Sequence, residues 1–320
     1  MSITITTGGI TMTGGGVSFT APPPSTFTTA TAGWFIGGRL SGVIIYSRVD
    51  RITYATDTAS ATVRGSLNAP AYVIVGTGTS TAGWVAGANQ GPSATAIQRI
   101  TYATDTATAT DRGSITTYTY VMAAVTDNTT YGWFVGGRTS IYVSTVNRID
   151  YGNDTIVAGI RGPLTSASGY SAGTSTVAYG WIGGGTGASD FSTVQRITYA
   201  TDTTTPSLRG PLSSARWGLA AAGNSTDGWF AGGFATLSTI DRVTYATDTA
   251  TASVRGPLNA GRYTLAASTD NITYGWFAGG GPGSVSTVQR ITYATDTATA
   301  SVRGALTQNN YMLAATSGVQ

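Results

Sequence analysis

Residues Tyr274 to Gly304 read YGWFAGGGPGSVSTVQRITYATDTATASVRG, and copies of this stretch recur back to Gly33. A Gly-Trp pair anchors each copy, at Trp34, Trp84, Trp133, Trp181, Trp229 and Trp276, with successive spacings of 50, 49, 48, 48 and 47 residues. A second series keeps time with it: Arg51, Arg99, Arg148, Arg196, Arg242 and Arg290, followed three positions on by Tyr54, Tyr102, Tyr151, Tyr199, Tyr245 and Tyr293. The third is an Arg-Gly pair starting at Arg64, Arg112, Arg161, Arg209, Arg255 and Arg303. Three registers locked together over six copies are not composition noise, and they unite the repeats in a single domain.

Within the last copy the patterning predicts four strands, at Tyr263 to Ser268, Tyr274 to Ala278, Val288 to Ala294 and Ala298 to Arg303. Turn chemistry separates them: Asp270-Asn271, a glycine run from Gly279, then Thr295-Asp296-Thr297. One such sheet cannot bury both faces alone, whereas blades stacked around an axis bury them all. The second strand is almost wholly apolar, as a strand between neighbouring blades must be. It is followed by Gly37-Gly38, Gly136-Gly137, Gly183-Gly184, Gly232-Gly233 and Gly279-Gly280, with Gly87-Ala88 in the second copy. Glycine there implies crowding or positive φ.

An apolar strand ending in a diglycine, a strand ending in Tyr and an Asp/Thr turn together resemble kelch repeats. The resemblance covers residues 27–320 and implies an all-β, kelch-like β-propeller. The outer-strand Trp common in kelch blades is replaced by Val63, Ile160, Leu208, Val254 and Val302, with Asp111 in the second copy. Residues 1–26 form a Thr/Gly-rich N-terminal segment with alternating stretches Ile3 to Thr6, Ile10 to Thr13 and Val17 to Thr20. Tyr311 to Thr316 is a first strand with no second strand after it, so the ring is expected to close by strands from both termini. If Phe27 to Ala32 is itself a first strand, the N-terminal stretches complete a seventh blade; if it is a linker, there are six. Seven is preferred, because first-strand candidates number seven.

All 17 basic residues are Arg and all 14 acidic residues are Asp; Lys, Glu, His and Cys are absent. Disulfides and ordinary zinc, copper and haem sites are thereby excluded, although Asp and main-chain oxygens would suit calcium. Galactose-oxidase-type propellers have a similar fold, but their copper ligands cannot be supplied here. The net charge of +3 is spread by the repeat, so no footprint for nucleic acid is expected. No signal-peptide pattern and no run long enough to insert in a membrane is visible. No cofactor and no metal is expected.

Candidate binding residues lie in the variable loops after the diglycines: Tyr46, Tyr142, Phe191 and Phe234. Such loops over a rigid ring suit partner recognition, or are simply exposed connectors free to vary. Aromatic residues open most first strands, at Tyr72, Tyr120, Tyr170, Trp217, Tyr263 and Tyr311, where they either stack on sugars or pack between blades. The six Gly-Trp anchors are expected in the core. Asp57, Asp105, Asp154, Asp202, Asp248 and Asp296 are expected to form turns, and the third-strand Arg to bond carbonyls or an Asp of the adjacent blade. Sequons at Asn128, Asn153, Asn224 and Asn271 are matches that abundant Thr produces by chance.

No nucleophile–base pair can be built without His, Lys, Glu or Cys unless Asp or Tyr serves as base. The expected function is a non-enzymatic structural or adhesion propeller in an extracellular assembly, touching other structural subunits. The Thr-heavy repeats loosely resemble virion proteins of marine and cyanobacterial phages, which implies a phage particle. The alternatives are a propeller that recognises a host surface glycan and, behind it, a polysaccharide-cleaving enzyme using Asp and Tyr.

Overall fold

Each copy supplies one short apolar segment that is closed on both faces. In the structure, a computed structural model that describes residues 2–6, 9–13, 28–40, 44–88 and 95–319, these segments are Ala32–Ile36, Ala82–Ala86, Tyr131–Val135, Tyr179–Gly183, Asp227–Ala231 and Tyr274–Ala278. Each is the second strand of a four-stranded antiparallel sheet, and these six sheets are the blades of a β-propeller, numbered I to VI in that order. The inner strands are Ala314–Gly318 in blade I, then Val75–Gly78, Ala123–Thr126, Ala172–Ser175, Ala220–Gly223 and Ala266–Thr269. Each lies against the next, and that of blade VI returns to that of blade I.

The ring therefore has six blades, not the preferred seven. Ala314–Gly318 pairs with Ala32–Ile36, setting Ala314 opposite Ile36 and Thr316 opposite Trp34. That strand fills the place a seven-blade count gives to Phe27 to Ala32, so such a count takes one inner strand twice. Thr31 N–H instead donates to the Gly318 carbonyl and Ala30 N–H to the Asp270 carbonyl, which makes residues 28–31 a connector, while Ala32 opens the second strand and Phe27 lies outside the described residues. Ser2–Thr6 and Gly9–Thr13 pair with each other as a separate two-stranded sheet, so they complete no blade. Val17 to Thr20 lies outside the described residues.

Strand boundaries also shift in blade VI. The inner strand begins at Ala266, because Thr264 takes a left-handed conformation (φ 51°). The third strand, Val285–Thr292, ends where Tyr293–Thr295 winds into a 3-10 turn. In blade IV the positive-φ pair is Gly184-Gly185, not Gly183-Gly184; Gly183 ends the strand, and glycine is needed there because a Cβ would sit 2.8 Å from the Phe230 ring.

All three sequence registers meet at one kind of joint. Trp34 of blade I donates from Nε1 to the Asp105 carboxylate of blade II at 2.8 Å, and Arg51 Nη1 and Arg64 Nε reach the same carboxylate at 2.9 and 3.1 Å. Tyr102, three residues before that Asp, stacks flat on Trp34 with ring centres 3.7 Å apart. The Gly65 N–H donates to the Asp105 carbonyl, and a Cβ on Gly65 would sit 1.9 Å from the Ala107 carbonyl oxygen, so the Arg-Gly pair admits nothing larger. The arrangement recurs at every joint: Trp84, Trp133, Trp181 and Trp229 reach Asp154, Asp202, Asp248 and Asp296. Trp276 of blade VI closes the circle on Asp57 of blade I. The repeated Asp residues are thus inter-blade acceptors as well as turn formers, and the third-strand Arg takes the aspartate option. All six anchors are buried at 3% exposure or less, so truncating one to Ala removes a large packed ring as well as a hydrogen bond.

Burial raises the phenol pKa of Tyr54, Tyr102, Tyr151, Tyr199, Tyr245 and Tyr293 above the ordinary 10.0, against smaller lowering by hydroxyl partners such as Ser268 for Tyr54 and Thr316 for Tyr102. A phenol held protonated in the fold contributes stability that is complete below about pH 10 and is lost as pH rises above it, because the unfolded chain ionises first. Phenolate absorbance on alkaline titration is therefore expected to show these six of the 17 tyrosines ionising only together with loss of β-sheet circular dichroism. Smooth ionisation of all tyrosines near pH 10 in a still-folded chain would contradict the joint.

Candidate binding face

The meander sends every second strand and every outer strand toward one side, the upper face, where the loops after the glycine pairs and the entries to the inner strands lie together. The 1–2 turns and the 3-10 turns lie below. Inner strands lining the axis carry Gly76, Ala124, Gly173, Ala221, Ala267 and Ala315, and these small residues leave an axial channel. Its lower half, a cavity of about 130 Å³, is lined by hydroxyls including Thr126, Ser175, Thr269 and Ser317.

The upper mouth is ringed by Val73, Val121, Tyr170, Gly218, Thr264 and Met312, all with φ between 51° and 70°. Their backbones bond in a closed circle: each N–H donates to the carbonyl of its counterpart one blade back, and Val73 donates to Met312. Left-handed backbone strains residues with a Cβ, most of all the β-branched ones, yet every N–H so turned is satisfied.

Outside this circle runs a layer of paired positions. The residue after each glycine pair faces the aromatic position of the same blade: Arg39 with Tyr311, Arg138 with Tyr120, Thr186 with Gly169, Phe234 with Trp217 and Gly281 with Tyr263. Tyr170 is the exception among the predicted first-strand aromatics, since Gly169 holds the aromatic position and Tyr170 moves into the mouth. Burial raises the Tyr170 phenol pKa, with Tyr142 and Tyr120 adding to it.

Of the five predicted loop and mouth residues, the structure brings together two. Trp217 and Phe234 stack with ring centres 4.3 Å apart and planes within 12°, Tyr170 lies 4.9 Å from Trp217, and Tyr263 meets Phe234 edge-on at 5.7 Å. Phe234 is 48% exposed. Tyr142 abuts Gly169 and lies under the Arg138 guanidinium at 5.3 Å. Tyr46 lies under Arg48 at 5.3 Å in blade I, and Phe191 folds back on Gly187 within its own loop. These three are half-buried and belong to separate loops.

The aromatic stack has a buried support. Arg216 and Asp241, whose side chains are 1% and 0% exposed, pair at 2.8 Å, and Arg216 also donates to the Gly232 and Phe230 carbonyls. The guanidinium thus ties the connection entering Trp217 to the turn leading into Phe234. At the position of Asp241 blades II, III, IV and VI carry Gln98, Asn147, Gln195 and Gln289, which cap the loop above in the neutral form. Blade I has Asp50, which receives Thr307 and lies 3.5 Å from Arg48.

Sequence reasoning misses the arginines of this face, although Gly-Gly-Arg at Arg39 and Arg138 is visible in the chain. Arg39 is held between the rings of Tyr72 and Tyr311, at 4.8 and 5.0 Å, and its Nε donates to the Tyr311 hydroxyl. Chemically the face offers stacking surfaces and guanidinium donors. Among the described residues no group of three or more His, Cys, Asp or Glu is placed to hold a metal ion, and no helix is long and apolar enough to cross a membrane. No family model and no curated protein matches this chain.

Proposed function

We propose that this chain is a non-enzymatic, kelch-like structural and adhesion propeller of an extracellular assembly, namely a component of a phage particle. The observation that carries the non-catalytic reading is the state of the repeated carboxylates. Each joint Asp is buried, accepts from a Trp and is held in ion pairs with two guanidiniums, so none is free to act as a base. What stays accessible is a rigid upper face of aromatic, guanidinium and hydroxyl groups, which suits holding a neighbour. The exposed apolar residues Val63, Ile160, Leu208, Val254 and Val302, one on the outer strand of five blades, add contact surface around the rim. Mass spectrometry of density-purified particles is expected to find the chain at stoichiometric copy number. Recovery only from the cytosol of intact cells would refute the particle assignment.

A second reading, recognition of a host surface glycan, is favoured by one feature, the Trp217–Phe234 stack with Phe234 half-exposed. Aromatic faces of this kind receive the apolar face of a ring ligand.

A further inference from the structure

The 17 arginines divide unequally. Twelve sit in the six joints, two to each aspartate. The other five, Arg39, Arg48, Arg138, Arg216 and Arg262, belong to the upper side of blades I, III, V and VI. Arg216 is neutralised by Asp241 and Arg48 by Asp50. Arg39, Arg138 and Arg262 form no ion pair among the described residues. Carboxylates on this side are partly withdrawn: Asp50 is 6% and Asp241 0% exposed, while Asp190 in the blade IV loop and Asp111 on the outer strand of blade II, opposite Gln98 and bonded by Asn68, are exposed. Asp127 and Asp270, by contrast, cap turns on the lower face through three backbone N–H groups each.

Arg39 and Arg138 also share one register, directly after the glycine pair, where each guanidinium lies over a tyrosine. A guanidinium fixed on an aromatic ring keeps its in-plane N–H groups in a geometry that matches a carboxylate. On the other side of the same face lies the uncharged stack of Trp217 and Phe234.

From this charge distribution, and resting on the glycan reading above, we infer that the upper face binds an acidic saccharide chain, its carboxylates held by Arg39 and Arg138 and its sugar rings stacked on Trp217 and Phe234. Nucleic acid fits less well, because the unpaired guanidiniums are separated by neutral aromatics and accompanied by Asp190, and form no continuous basic stripe.

Binding of the full chain to polyuronate oligosaccharides, neutral glucan oligosaccharides of equal length and a short mixed-sequence DNA, measured by calorimetry at low and high salt, tests this. The expected result is binding of the uronate alone, weakened by salt, with about a tenfold loss for Arg39→Gln combined with Arg138→Gln and a loss for Phe234→Ala at both salt levels. Unchanged melting temperatures would show that these variants fold. Binding of the neutral glucan with equal affinity would overturn the acidic specificity and leave the glycan reading standing. No saccharide binding would remove both, while the particle assignment is decided separately by mass spectrometry. Preferential binding of the DNA would overturn the choice of saccharide.

Discussion

Asp202→Ala is expected to cost about 3–5 kcal/mol of folding stability, the usual consequence of leaving a buried charge without its partner. Asp202 is 5% exposed and receives Trp133 Nε1 at 2.8 Å, Arg148 at 3.1 Å and Arg161 at 3.4 Å. Alanine would strand an indole N–H and two guanidiniums that are only about a fifth exposed. Equilibrium urea unfolding is the measurement. A loss below about 1 kcal/mol would mean the joint behaves as an exposed ion pair, and the account of what holds the blades together would fail. Asp202→Asn keeps an acceptor for Trp133 but not the charge, so it should fall between wild type and Ala.

Removing residues 314–320 is expected to have the larger effect. It deletes the inner strand of blade I, which pairs with Ala32–Ile36 over five positions, and lays open the hydrogen-bonding edge beside the buried Trp34, Phe35 and Ile36. Such an edge invites pairing with other chains. The cooperative unfolding transition should disappear, dye binding to exposed apolar surface should rise, and a synthetic peptide of the deleted sequence should restore some of the transition. A truncated chain that melts like the full one would show that closure contributes little.

Much of this architecture was legible because propeller repeats are local. Strand, turn and glycine signals sit within 48 or so residues, and the aromatic and arginine registers kept time across all of them. The joint was legible only in part: an Asp of the adjacent blade was one of two partners expected for the third-strand Arg, but the Trp–Asp bond was not read, since its partners are 71 residues apart in the case of Trp34 and Asp105 and 219 in that of Trp276 and Asp57. Nothing in the spacing says that Trp meets the next copy's Asp instead of its own. Blade number failed on one segment, Phe27 to Ala32, whose β-branched and aromatic composition suits a strand although its place in the sheet is taken by the chain's other end. On the upper face, loops of unequal length hid a common register, so Arg39 and Phe234 looked unrelated until both were seen beside the aromatic position of their blades.

The pairing that closes blade I joins Ala314–Gly318 to Ala32–Ile36, two segments that every copy carries, so it holds no label distinguishing one molecule's tail from another's. During refolding in concentrated solution, residues 314–318 of one copy fit a neighbour's vacant groove as well as their own. Tethering, through the high effective concentration of an attached end, is what favours the self-contained monomer. Exchanged dimers should therefore accumulate with protein concentration in the refolding mixture and carry no new interface of their own.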